Sequence, residues 1–144
     1  MKKNTKGFTL IELLAVIVIL AIIALIATPI VLNLINTARK GAAARSAEGI
    51  RSALGKYYFS NIVEHPEAAI TTFDITFDGN DQKIEEWSTL TEEIKLSTII
   101  DGKLPTAGTV TVSDDGKVTG SKLKIDGYYC SFNATGTATC DKNS

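Results

Sequence analysis

Glu12 is the side chain whose position demands chemistry. It stands in KGFTLIELLAVIVIL (residues 6–20), just before a stretch from Leu13 to Ala38 that carries no charge. A carboxylate near the middle of a bilayer costs about 2.5–3.5 kcal/mol on insertion scales, so there it needs water at the membrane edge or a positive partner. A cut after Gly7 would make such a partner. The new α-amino group would sit on Phe8, and positions i and i+4 of a helix are neighbours. The pair can form within one chain or between adjacent chains. Cys130 and Cys140 supply the other reactive groups. They are centred on Thr135, and a loop of Ala134, Thr135 and Gly136 would set Asn133 opposite Thr137 and Cys130 opposite Cys140, with Gly136 free to take a positive φ. A disulfide and two free thiols are both compatible with that register.

Other chemical signals are weak. Two cysteines and the single histidine, His65, do not make a closed zinc site. Asp78–Asp81 resembles part of a calcium loop, but Gln82 and Lys83 break the spacing, which favours a solvated turn. LPTAG (104–108) lacks the fourth-position threonine and apolar tail of a sortase signal. Asn133-Ala134-Thr135 fits an N-glycosylation pattern that chance readily produces. No Ser/His/Asp set, phosphate loop or catalytic carboxylate pair is visible. The chain therefore reads as no enzyme, with no cofactor and no metal.

The elements that position these residues follow from periodicity. Lipid leaves a lone apolar segment only the helix as a way to satisfy its backbone. At about 1.5 Å per residue, Phe8–Ile35 would run roughly 42 Å against a hydrocarbon core of about 30 Å. A cleaved secretory signal is disfavoured, because its apolar stretch is shorter and ends in a small-residue site. Pro29 removes a backbone hydrogen bond and predicts a helix break, a kink or local unwinding near Ala27–Asn33. Beyond it, Ala43, Ala47, Ile50, Leu54 and Tyr57 or Tyr58 recur at spacings of three and four, which makes one apolar stripe. The reading is a single helix from Phe8 to about Ser60, ended by Glu64-His65-Pro66.

Ile70–Phe77 reads as a strand or extended loop, and Leu90–Ile100 as a short helix. After Pro105, TVTV, KVTGSKLKI, YYCSF and TATC are separated by Asp115-Gly116, Asp126-Gly127 and NATG. They predict an antiparallel meander with short turns at the two Asp-Gly pairs, the Ala134–Gly136 loop as the third turn, and a bulge at Gly120. The fold class is α+β: a long N-terminal helix, membrane-spanning in its first half, packed on a small C-terminal antiparallel sheet.

Charge is unevenly placed. Arg39–Lys56 holds five basic residues and one acid, a net +4, whereas Tyr57 onward holds seven lysines and fourteen acids, a net −7. Three basic residues on each side of the span leave the positive-inside rule silent. The basic collar lies on the helix and the head is acidic, so no specific nucleic-acid partner is expected.

With Pro29 downstream, KGFTLIELLAVIVIL resembles the N-terminus of type IV pilins and of the related pseudopilins of type II secretion systems. The likeness is close over the first 35 or so residues and loose beyond. It implies the pilin fold, with residues 1–7 as a cytoplasmic leader, 8–36 as a transmembrane helix that becomes filament core, and 37–144 as a head. It further implies that a prepilin peptidase cuts between Gly7 and Phe8 and that Phe8 is N-methylated. Glu12 would neutralise the Phe8 amine of an adjacent subunit, and the Pro29 region would lose helix in the filament.

The family often carries a C-terminal disulfide loop, which implies a Cys130–Cys140 bond. The implied partners are further copies of the chain in a helical filament, the peptidase, the membrane and its assembly machinery. The implied location is the cytoplasmic membrane, head outward, and then a surface pilus serving adhesion, motility or biofilm formation. A secretion pseudopilin and a competence pilin are the alternatives. Ala15, Ala21, Ala24 and Ala27 would permit close helix approach.

Overall fold

The computed structural model describes residues 7–66, 71–80, 83–84 and 94–143. The leader lysines Lys2, Lys3 and Lys6, Asp81, and the first residues of the helix expected at Leu90–Ile100 lie outside them. The chain divides into two compact units, Met1–Ala38 and Arg39–Ser144. Helix α1 (Leu10–Glu64) begins in the first and ends in the second.

In the first unit α1 is apolar all round and no described residue is buried. By length and composition it is the one helix among the described residues able to cross a membrane. It starts at Leu10 rather than at Phe8. The helical assignment also runs unbroken through Pro29, so the expected unwinding is absent from this conformation. Proline forfeits one backbone bond and its ring crowds the preceding turn, yet the helix is assigned on both sides of it. Immediately before it, the Thr28 hydroxyl donates to the Ala24 carbonyl at 2.6 Å.

In the second unit Ala43, Ala47, Ile50, Leu54, Tyr58 and Asn61 of α1 are buried. The expected stripe is therefore present, with Tyr58 rather than the half-buried Tyr57 at its end. The helix stops where Pro66 forbids it, and the His65 N–H closes the last turn on the Asn61 carbonyl at 2.8 Å.

The stripe packs on a five-stranded antiparallel sheet of order β1-β4-β5-β6-β7. Its strands are β1 (Phe73–Phe77), β4 (Gly108–Val112), β5 (Val118–Ile125), β6 (Tyr128–Phe132) and β7 (Thr139–Asp141). The last four form the predicted meander, and β1 joins its edge beside β4. Alternation sends Phe73, Ile75, Phe77, Val110, Val112, Leu123, Ile125 and Cys130 inward, as the two-residue period of a half-solvated sheet requires. A separate ladder pairs β2 (Lys83–Ile84) with β3 (Ile94–Lys95), and α2 (Leu96–Ile99) is one turn long. Of the described residues of the helix expected at Leu90–Ile100, Leu96–Ile99 are helical and Ile94–Lys95 are strand.

Two turns refine the sequence reading. The β4–β5 connection is not a two-residue Asp115-Gly116 turn. The Gly116 N–H closes a turn on the Ser113 carbonyl at 2.9 Å, Gly116 follows at φ 80°, and the Ser113 N–H returns to the Lys117 carbonyl at 2.8 Å. Only Gly116 has positive φ, whereas a two-residue type I′ turn needs two such residues. Asp126-Gly127 meets that demand, with φ of 49° and 84°. The bulge lies just past Gly120. Ser121 and Lys122 together face Ser131, and Lys122 has φ 52°. Gly120 itself makes room for Phe132, since a Cβ there would sit 2.6 Å from the ring.

Candidate assembly site

The N-terminal residues combine into a local device. Thr9 precedes the first helical residue, and its carbonyl accepts the Leu13 N–H at 3.3 Å. Glu12 reaches back to it. The Thr9 N–H and hydroxyl both donate to Glu12 Oε2, at 2.8 and 2.7 Å, and the Thr9 hydroxyl also accepts the Glu12 N–H at 3.3 Å. This reciprocal capping box satisfies backbone donors that the first turn of any helix leaves orphaned. Glu12 is therefore not without a partner in the uncut chain. Threonine followed three residues later by glutamate before an apolar run is a legible signature, and it is the signal that would have singled out Thr9. Phe8 lies before the cap, outside the helix, so the i,i+4 geometry expected between Phe8 and Glu12 does not hold in this state.

Gly7 and Phe8 precede the helix and are exposed, and Phe8 is 83 % accessible. From Leu10 to Ile35 every large apolar side chain is exposed. A continuous apolar surface of this size is unstable in water and must be covered by lipid or by protein.

In the second unit Cys130 and Cys140 are bonded, with S–S 2.02 Å, and both are buried. They occupy the predicted register, directly opposite one another between β6 and β7. The loop between them departs from expectation at Gly136, whose φ is not positive. The Asn133 side chain instead accepts the Gly136 N–H and forms the turn through a side chain.

Three helix side chains hold this hairpin. Lys40 donates to Asp141 at 2.8 Å, Glu48 accepts the Ala138 N–H at 3.1 Å, and Arg51 Nη1 donates to the Ala134 carbonyl at 2.9 Å. Two of the five basic collar residues are thus used within the chain. The Tyr58 hydroxyl donates to the Asp114 carbonyl and fixes the neighbouring β4–β5 turn. Burial raises the Tyr58 phenol pKa above its usual range, and the charges of Asp114 and Asp115 add to the effect. Among the described residues, no group of three or more His, Cys, Asp or Glu side chains is placed to hold a metal.

Residues 2–28 match the family model of the prokaryotic N-terminal methylation motif, which is typical of type IV pilins and pseudopilins. The match takes in Gly7, Phe8, Thr9 and Glu12 and stops one residue short of Pro29. No curated protein and no solved structure gave a significant match.

Proposed function

We propose that this chain is the precursor of a filament subunit of the type IV pilin kind. The observation that carries the reading is the methylation motif over residues 2–28 on a helix whose apolar residues, Leu10 to Ile35, are all exposed. A prepilin peptidase removes residues 1–7, Phe8 becomes the methylated N-terminus, and residues 8–36 leave the bilayer to pack against the same segment of other copies. Before assembly the chain spans the cytoplasmic membrane once, with residues 37–144 outside. The Cys130–Cys140 bond suits an oxidising exterior. Burying apolar rods against one another removes their need for lipid, and the Phe8 amine and Glu12 carboxylate become a pair that low dielectric strengthens.

In this reading Glu12 changes partners. Its Oε2 is held by Thr9 in the uncut chain, and cleavage supplies a cation for the carboxylate. Mass spectrometry of sheared filaments is expected to find N-methyl-Phe8 as the first residue; filaments that retain Met1 would overturn the proposal. Glu12→Ala should leave cleavage intact and reduce filament yield at least tenfold, read by immunoblot of the sheared and membrane fractions. Electron microscopy of the same material separates a long surface pilus from the short filament of a secretion system.

A further inference from the structure

Arg51 is set into the head, and its hydrogen bonding is incomplete. Its Nη1 donates to the Ala134 carbonyl at 2.9 Å, but its Nε is out of contact with solvent and has no acceptor. The residue is half-buried, and no carboxylate pairs with it among the described residues. A guanidinium has five N–H donors and keeps its charge at every physiological pH. Holding such a group partly out of water with a donor unmet is unfavourable until an anion reaches it.

A cleft of about 290 Å³ lies against this side chain. Three elements meet there: Arg51 and Ser52 of α1, Lys117 at the β4–β5 turn, and Ala134 and Thr135 of the β6–β7 loop. Two cations line the cleft and no acid does. The Ser52 and Thr135 hydroxyls have no hydrogen-bond partner among the described residues. Lys117 is paired with Asp115, which is not part of the lining. The loop wall is held in place by the Cys130–Cys140 bond and by Glu48 on the Ala138 N–H.

We propose that this cleft binds a tetrahedral oxyanion, a phosphate or sulfate group, with Arg51 as the main donor, Lys117 as a second charge, and the Ser52 and Thr135 hydroxyls as neutral donors. The arginine fork suits phosphate oxygens. Donors that come from three elements surround the cleft, and a tetrahedral group points its oxygens in as many directions, whereas a carboxylate has two in one plane. The site stands apart from the methylation motif and does not depend on filament assembly.

The test is nuclear magnetic resonance of the full isotope-labelled chain in non-ionic detergent, titrated with sodium phosphate at constant ionic strength. The Arg51 Nε–H signal should move together with the Lys117 and Thr135 amides and saturate with a dissociation constant of about 1 mM. The signals of the other two arginines, Arg39 and Arg45, should stay still. Sulfate should act as phosphate does, and acetate should bind at least about tenfold more weakly. Arg51→Lys keeps the charge and loses the fork, so binding should weaken about tenfold or more. Asp115→Ser leaves an oxygen to accept the Lys117 N–H and frees the Lys117 ammonium, so binding should tighten about threefold. Lys103→Gln, the loss of a lysine paired with Asp126 away from the cleft, should change nothing.

Glycerol phosphate binding as tightly as phosphate would identify the ligand as an ester on a larger molecule, and binding of inorganic phosphate alone would identify the free ion; either upholds the site. The proposal fails if the Arg51 signal does not move, if all three arginines move alike, or if acetate matches phosphate. Asp115→Ser touches none of the Arg51 contacts, so it keeps the test sound if Arg51→Lys disturbs the loop. Unchanged or weaker binding by that variant also overturns the proposal.

Discussion

Thr9 and Glu12 satisfy each other's hydrogen bonds, and that exchange fixes where the helix begins and which carboxylate oxygen is committed. Thr9→Ala removes one half of the capping box, a loss of about 1 kcal/mol at a helix start. Thr9→Ser keeps the hydroxyl. Filament yield should therefore fall for Thr9→Ala and recover for Thr9→Ser, while Glu12→Ala is the more severe loss because it also removes the charge. At the other end of α1, Tyr58 is buried and donates to the Asp114 carbonyl. Its phenol pKa is raised, so the folded state keeps its proton to higher pH than the unfolded chain does. The resulting stabilisation is complete below the unfolded value of about 10 and drains away as pH rises toward the folded value. Thermal melts of the head in detergent should lose stability above about pH 10, and Tyr58→Phe should flatten that alkaline limb. The same replacement at neutral pH should cost about 1 kcal/mol for the lost hydrogen bond.

Among the elements, the β6–β7 hairpin is the one most dependent on others. β7 is three residues long, and it is held by the disulfide on its inner side and by Lys40, Glu48 and Arg51 of α1. Cross-linking two residues ten apart restricts the unfolded chain by about 3 kcal/mol in the chain-entropy model. Replacing both cysteines by serine also buries two hydroxyls where sulfurs were. Urea melts of the double variant should show a stability loss of about 3 kcal/mol or more. Proteolysis should then cut first between Asn133 and Ala138, because this loop would retain only its side-chain anchors. The helix anchors are individually modest. Lys40 and Asp141 are largely exposed, and a pair of that kind is worth about 0–1 kcal/mol.

For the whole molecule, the distribution of charge matters more than its sum. Lys40 and Arg51 are engaged inside the head, and among the described residues no ion pair holds Arg39, Arg45 or Lys56 of the collar; in the proposed filament these three would meet acidic surfaces of other subunits. Such contacts between exposed charges weaken with salt. Sheared filaments should dissociate more readily at high ionic strength, and Arg39→Gln with Arg45→Gln should remove most of that dependence; light scattering across a salt series checks both. The sequence by itself determined the apolar helix, the methylation motif with its carboxylate, the stripe from Ala43 to Tyr58, the meander and the opposition of Cys130 to Cys140. Each depends on local periodicity or on residues close in sequence, and those are visible without a fold. Tertiary structure decided what local pattern leaves degenerate. It placed β1 beside β4 across more than thirty residues, made the first hairpin a three-residue turn, and kept α1 helical through Pro29. It also set the partners of Lys40, Glu48 and Arg51, which lie some eighty to a hundred residues away. Contacts of that range are chosen by which faces pack together, and one extra residue in β5 was enough to turn Lys122 outward beside Lys124.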